Sequence, residues 1–227
     1  MGKCFYRAVR ILGAPFSYRC IGSEKLQGPA ILVANHLGVV GPIEAVLSIP
    51  QQLHLWGSAN LFDKTKIVDH LMGDFVGPVL HLKGGLGRFV AKVIGRIVMP
   101  MIDRLEVVPV DRHDVVLSGA FKRSLQFLEQ DGLLLVMPED PTLPPDPVSG
   151  MNPFMSGYLY LCSLVKKRSG QDLPVYPVAV HKKGRSVVIG EPLYYEDSGN
   201  TKQDMLRMTR RLEKTIEQML KAGMNNQ

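Results

Sequence analysis

The chain has 227 residues, of which 45% are apolar and 21% are charged, and it carries a net charge of +6. This composition excludes a disordered chain and suffices for one ordinary α/β domain with a buried core. The positive charge favours an anionic partner, such as a membrane surface, a phosphorylated substrate or nucleic acid. Aromatic residues make up only 7% of the chain and form no ribbon with basic residues, so we expect no nucleic-acid partner.

The cysteines and the hydropathy pattern restrict the compartment. Cys4, Cys20 and Cys162 form no CxxC pair and no zinc-ligand spacing, which indicates a reducing compartment and predicts no metal site. The chain contains no run of about eighteen apolar residues and no pattern of a secretory signal. We therefore expect no transmembrane helix, and a lipid-directed function would be exercised peripherally, at the cytoplasmic face of a membrane.

A basic amphipathic helix is predicted over residues 3–14. Its apolar face carries Phe5, Ala8, Val9 and Leu12, and its basic residues are Lys3, Arg7 and Arg10. Two interpretations remain open for this helix: it packs on the core with solvated charges, or it anchors the chain at a membrane interface.

The stretch 31–42, ILVANHLGVVGP, predicts a buried strand that delivers Asn35 and His36 to its end. Reactive groups of α/β proteins lie just beyond the carboxyl ends of strands. A histidine there is a candidate general base, because its ordinary pKa is close to working pH. The alternative is a turn histidine that only caps the following helix.

The stretch 84–102 combines a glycine cluster with a helical pattern. From residue 88 onwards, large apolar residues share one face and Arg88, Lys92 and Arg96 recur on another, and no acidic residue occurs between 88 and 101. This pattern is typical of an interfacial helix that meets anionic lipid, although a core-facing helix is the alternative. The sequence GGLG also resembles half of a dinucleotide-binding loop, but Val90 stands where the third glycine is required.

The remaining elements alternate between strands and helices. Strands are predicted at 16–21, 53–58, 79–82, 106–110, 133–137, 173–180 and 186–189, and helices at 42–50, 61–72, 115–130, 154–165 and 201–221. This alternation predicts one α/β domain over 1–227, with a core at about 16–192 and a mostly parallel sheet flanked by helices.

Four strand-end blocks occur in order along the chain: NHLGVVGP at 35–42, VPVDR at 108–112, VMPEDPT at 136–142 and LPVYPVAV at 173–180. Their order and spacing resemble the blocks of the PlsC-like glycerolipid acyltransferases, which carry NHxxxxD, an arginine after an apolar strand, FPEGTRS and a VPV strand. Further matches are the lead-in IGSEKLQGPAIL and the GEP at 190–192. The resemblance extends over residues 16 to 192.

The resemblance implies transfer of a fatty acyl group from a thioester, acyl-CoA or acyl-carrier protein, to the hydroxyl of a lysophospholipid or related lipid. It implies His36 as general base, Arg112 as anchor of the acceptor's phosphate, and an acceptor site lined by Asn35, Pro138 and Glu139. No enzyme nucleophile and no cofactor are required, which suits a chain without a GxSxG elbow.

Two departures from the family pattern bear on activity. Gly41 stands where NHxxxxD has its acid, and the arginine of FPEGTRS is missing, since Asp140, Pro141, Thr142 and Leu143 follow the PE pair. Loss of the acid that orients a histidine base costs roughly 10⁴ in rate in serine proteases. We expect Asp140 to serve as the substitute acid; the alternative is a catalytically impaired relative that binds lipid without acyl transfer.

Overall fold

The computed structural model describes residues 2–38, 40–78, 80–111 and 118–225. Within these residues the strands are β1 Arg19–Ile21, β2 Ala30–Ala34, β3 Leu53–Ser58, β4 Val108–Val110, β5 Leu133–Val136, β6 Val175–His181 and β7 Ser186–Ile189. The α-helices are α1 Gly2–Gly13, α2 Val40–Ser48, α3 Ile67–Leu71, α4 Gly84–Arg104, α5 Ser118–Leu128, α6 Tyr160–Ser169 and α7 Thr201–Asn225.

The described strands form one seven-stranded sheet in the order β1-β7-β6-β2-β5-β3-β4. All neighbours run parallel except β6 and β7, which form an antiparallel pair. The predicted α/β class with a mostly parallel, helix-flanked sheet is confirmed. The three central strands β6, β2 and β5 are buried at every residue, as expected for strands covered by helices on both faces.

Alternate residues of the central strands face two cores. On one face, Ile31 and Val33 pack in a cluster with residues of α5, α6 and α7. On the other, Leu32 and Ala34 pack in a cluster that includes Ala45 and Ile49 from α2 and the turn after it. This alternation is the period-2 geometry of a strand, and polar Asn35 and His36 follow directly where β2 ends.

A third cluster lies apart from the sheet and joins α3, the π-helical turn Met72–Val76 and α4. The prediction of one helix over 61–72 was wrong in extent, because residues 62–66 between a 3₁₀ turn and α3 are not helical. The predicted strand at 79–82 was also wrong, since residues 80–82 are turn and coil and continue into α4.

Helix α4 differs from the prediction at both ends. The GGLG stretch forms its first turn rather than a loop, and Pro100 lies inside the helix, which continues to Arg104. Helical hydrogen bonding continues beyond Pro100, because the Leu105 N–H donates to the carbonyl of Met101. The 3₁₀ turn Gly157–Leu159 precedes α6, so the helix predicted from residue 154 begins later than expected.

Helix α1 packs on the chain around α2 through its polar groups. The Tyr6 hydroxyl donates to the carbonyl of Gln51 at 3.1 Å and accepts the N–H of Leu53 at 3.3 Å, and Tyr6 is buried. On its outer side, Ile11 and Leu12 are 74% and 79% exposed. Helix α1 therefore packs on the protein along one side, and its predicted role as a membrane anchor stays a prediction.

Candidate functional site

The candidate site lies where β6, β2 and β5 end side by side. Strand β2 pairs with both neighbours in parallel, with Ala34 opposite Val178 and Val33 opposite Val136. The residues after Ala34 and after Val136 therefore meet at the same edge of the sheet, about 4.8 Å apart across the pair. This topology brings the NH and PE blocks together, although 103 residues separate His36 from Glu139.

Asn35 fastens the end of β2 to β6. Its side chain is buried; its amide donates to the Val180 carbonyl at 3.2 Å, and its carbonyl accepts the Val180 N–H at 2.8 Å. These two bonds replace the backbone hydrogen bonds that β2, which ends at Ala34, no longer makes to β6. The side-chain contacts of Asn35 are thus with the protein backbone, and they hold the residue that follows it.

His36 follows directly and is exposed to solvent. Its backbone N–H donates to Oε1 of Glu139 at 2.5 Å. The other carboxylate oxygen of Glu139 accepts the N–H of Asn152 at 2.8 Å. One side chain therefore ties the His36 turn to the loop before residue 154, and it does so from a buried position.

Burial raises the pKa of Glu139 above its ordinary value, while the bonds from the His36 and Asn152 N–H groups oppose this shift. Hydrogen bonds from backbone donors favour the carboxylate, whereas desolvation favours the neutral acid. The carboxylate oxygens both accept from backbone, so Glu139 is a positioning residue for His36 in this structure. Its predicted contact with an acyl acceptor stays a prediction.

The loop after β5 is held in a defined shape by short antiparallel pairing. The Asp140 N–H donates to the Pro153 carbonyl at 2.8 Å, and the Met155 N–H donates to the Pro138 carbonyl at 2.9 Å. The Asp140 carboxylate also accepts the N–H and the hydroxyl of Thr142, at 3.0 and 2.6 Å. These are the bonds of an Asx turn, so Asp140 shapes the loop, and its predicted role as orienting acid stays a prediction.

Gly41 lies in the first turn of α2, facing the turn that carries His36. A Cβ atom built on Gly41 would lie 3.5 Å from the Asn35 carbonyl oxygen and 3.7 Å from side-chain atoms of Leu37 and Met137. These are ordinary van der Waals distances. The position therefore has room for a side chain, although the chain carries none there.

The other predicted site residues fall into two groups. Arg112, the predicted phosphate anchor, lies outside the described residues. Arg88, Lys92 and Arg96 lie on the exposed side of α4. Arg88 pairs with Asp69 of α3 at 2.9 Å, so one of the three cations is used between helices at the surface.

An apolar groove of about 160 Å³ lies beside Pro138 at the same edge of the sheet. Its lining comes from the ends of β3, β4 and β5 and from the loop before α6, and it comprises Trp56, Gly57, Ser58, Val110, Val136, Met137, Pro138, Met155, Gly157 and Tyr158. Among these lining residues, Pro138 is the one that the sequence predicted as part of the site. Trp56 and Ser58 lie at the end of the apolar strand LHLWGS, which is β3, the neighbour of β5 in the sheet. The polar residue at the end of this strand was the sequence signal that could have placed them at the site.

A larger depression of about 450 Å³ lies on the outside of α5 and shares no residue with the His36 site. Its lining is mostly polar and includes Lys122, Gln126, Glu129 and Arg168, of which the last two form an exposed ion pair at 3.0 Å. In this lining the Glu129 carboxylate is thus engaged by a guanidinium at the surface.

Neither a metal-ligand cluster nor a membrane-spanning helix occurs among the residues that the structure describes. These residues contain no group of three or more His, Cys, Asp or Glu side chains placed to hold a metal ion. Among the helices in the described ranges, none is both long and apolar enough to cross a membrane.

The class that fold and site define is an α/β protein with a mostly parallel sheet and an exposed histidine at the carboxyl end of a central strand. No protein-family model, no curated protein and no solved structure matches the chain.

Proposed function

We propose that the protein is a peripheral membrane O-acyltransferase that moves a fatty acyl group from an acyl thioester to the hydroxyl of a lysophospholipid or related lipid. The observation that carries the proposal is His36, which is exposed at the end of β2 while its backbone is held by Glu139. A base must be accessible to substrate and fixed in space, and His36 combines the two. The block resemblance to PlsC-like enzymes supplies the reaction.

The chemistry needs one proton transfer and no covalent enzyme intermediate. The neutral His36 imidazole takes the proton of the acceptor hydroxyl as its oxygen attacks the thioester carbonyl carbon. The tetrahedral intermediate then collapses, the carbon–sulfur bond breaks, and the thiol leaves with a proton from the imidazolium. Acyl-CoA or an acyl-carrier protein is the donor substrate, and no cofactor is needed.

The apolar groove beside Pro138 supports a lipid substrate. It opens next to the loop whose Glu139 binds the His36 N–H, and most of its lining residues are apolar, with Trp56, Ser58 and Tyr158 carrying polar groups. An apolar chain in this groove would gain about 0.8 kcal/mol for each methylene removed from water. In this proposal Arg112 remains the anchor of the acceptor's phosphate by resemblance alone.

Replacement of His36 tests the proposal. Acyl transfer from acyl-CoA to a panel of lysolipids should fall by about 10²- to 10⁴-fold in His36→Ala, the range that a general base contributes. His70→Ala serves as the control, since His70 lies on α3 and pairs with Asp74 at 3.3 Å. Equal rates in wild type and His36→Ala would remove His36 from the mechanism.

A second candidate function is lipid binding without acyl transfer. It is favoured by Gly41, because a PlsC-like enzyme carries its orienting acid at that position. This candidate expects wild type to bind lipid vesicles and to transfer no acyl group to any lysolipid tested.

A further inference from the structure

The inner side of α4 is made of small residues. Gly87, Ala91 and Gly95 are buried at intervals of four positions, and a Cβ atom at Gly95 would lie 3.5 Å from Ile67 and 3.6 Å from Leu71. Helix α4 therefore approaches α3 closely along a stripe that offers little apolar area of its own.

Several of the large apolar side chains of α4 point outwards. Four of them are exposed by 39 to 65%: Leu86, Phe89, Val93 and Ile97. At 100° per residue they fall within an arc of roughly 80°. We call these four residues the outer apolar face. The sequence pattern had assigned Val93 and Ile97 to one face with Val90 and Ile94, but the latter pair is half-buried against the α3 cluster.

A basic row borders this face. Arg88, Lys92 and Arg96 are exposed and lie along the adjacent side of the helix at four-residue intervals, and no acidic residue occurs between 88 and 101. The Arg104 guanidinium at the end of α4 lies 5.3 Å from the Phe5 ring centre of α1, which carries exposed Ile11 and Leu12 of its own. A basic row beside exposed large apolar residues complements the anionic headgroups and the acyl boundary of a bilayer.

We propose that the outer apolar face of α4 inserts into the headgroup–acyl boundary of an anionic bilayer, with Lys92 and Arg96 on the headgroups. This inference rests on the membrane association in the proposed function and names the surface that performs it. It requires no acyl transfer. The occupant is a lipid surface, because the basic row selects anionic charge and the exposed apolar arc beside it matches the acyl boundary below the headgroups.

Co-sedimentation with vesicles tests this surface. Wild type should bind phosphatidylcholine vesicles that contain 30% phosphatidylglycerol more tightly than phosphatidylcholine alone. Phe89→Ser/Ile97→Ser should weaken binding to both vesicles by about tenfold, because both side chains lose apolar burial. Lys92→Gln/Arg96→Gln should remove about tenfold of the preference for anionic vesicles only. The matched control is Val148→Ser/Leu206→Ser, which replaces exposed apolar residues elsewhere and should bind as wild type.

Three results would overturn the inference: no binding of wild type to either vesicle, unchanged binding of Phe89→Ser/Ile97→Ser, or a wild-type dimer that this variant converts to monomer in sedimentation velocity. The last result would make a second copy the occupant. Circular dichroism of each variant ensures that loss of binding is not loss of folding. Acyl transfer to a short-chain lysolipid below its micelle concentration separates the two proposals, since its failure removes the enzyme but leaves vesicle binding by this face intact.

Discussion

At the scale of single residues, the site depends on which carboxylates are already engaged. Both oxygens of Glu139 accept backbone N–H groups, one of them from His36. Glu139 therefore holds the main chain of the candidate base. A carboxylate that orients an imidazole must instead face its ring nitrogen, and Gly41 stands where the PlsC-like pattern that the sequence resembles has that acid.

Introducing an acid at position 41 separates a weakened enzyme from a lipid-binding relative. Gly41→Asp should fold, because a Cβ atom there meets only ordinary contacts. In a weakened enzyme it should raise kcat for acyl transfer by at least tenfold, since an orienting acid is worth up to about 10⁴ in serine proteases. Gly41→Asn is the matched control and should restore little activity.

Acyl transfer by the Gly41 variants in a coupled thiol-release assay is the measurement. A fast wild type that Gly41→Asp does not accelerate would mean that another acid, with Asp140 as the predicted one, already orients His36. A silent wild type and a silent Gly41→Asp would favour the lipid-binding relative.

At the scale of the helix, the first turn of α4 determines how it docks. A Cβ atom at Gly87 would lie 2.9 Å from the Leu82 carbonyl oxygen and 3.1 Å from the Met72 side chain. A Cβ atom at Gly85, two residues earlier in the same turn, would meet nothing within 4 Å. The two glycines of the GGLG stretch therefore have different reasons to be glycine.

Alanine at these two positions should have opposite effects on stability. Gly87→Ala should lower the free energy of unfolding by about 1–3 kcal/mol, because backbone must move to admit the methyl group. Gly85→Ala should leave it unchanged or raise it by up to about 1 kcal/mol, since alanine is the better helix former. Urea denaturation followed by circular dichroism measures both. Equal destabilisation by the two variants would contradict the close approach of α4 at Gly87.

At the scale of the whole molecule, two buried histidines lie at opposite ends of the parallel strands. His54 is near the start of β3, where its ring stacks on Phe127 with centres 3.7 Å apart, and His181 ends β6. Burial lowers the pKa of both below the ordinary 6.5, and for His54 the Glu106 carboxylate opposes this shift. The fold thus favours both imidazoles in the neutral form.

Stability should therefore decline when the pH falls from about 7 to 5. The unfolded imidazoles take up protons near pH 6.5 and the folded ones only at lower pH. Their contribution to the free energy of unfolding is complete above pH 6.5 and is lost as the pH falls through the folded pKa values. Urea denaturation at several pH values should show a shallower decline in His54→Gln/His181→Gln than in wild type.

The comparison of wild type with His54→Gln/His181→Gln isolates the contribution of the two histidines to the pH dependence of stability. Burial raises the pKa of Glu44 and Glu139, so their contribution has the opposite sign and is lost as the pH rises through their folded pKa values. Both proteins retain these two carboxyls. An equal pH dependence in wild type and the double variant would show that neither histidine is neutral by burial.

The sequence by itself determined the strands and helices whose patterns are local. The apolar runs of β2, β3 and β5 were predicted nearly to the residue, because a short apolar run and the turn residues that follow it are written in the chain. The NH and PE blocks were found for the same reason. A strand's end is a local signal, and polar residues there mark the edge of a sheet.

Tertiary packing alone decided what these signals become. The neighbours of β2 depend on long-range pairing, so only the fold brought Glu139 to the His36 N–H and added Trp56 and Ser58 from β3 to the groove. The inner face of α4 was misjudged because periodicity ranks residues by hydrophobicity, whereas close helix packing selected the small stripe of Gly87, Ala91 and Gly95. Which side of a helix is buried depends on the shape of its partner, and no local pattern contains that shape.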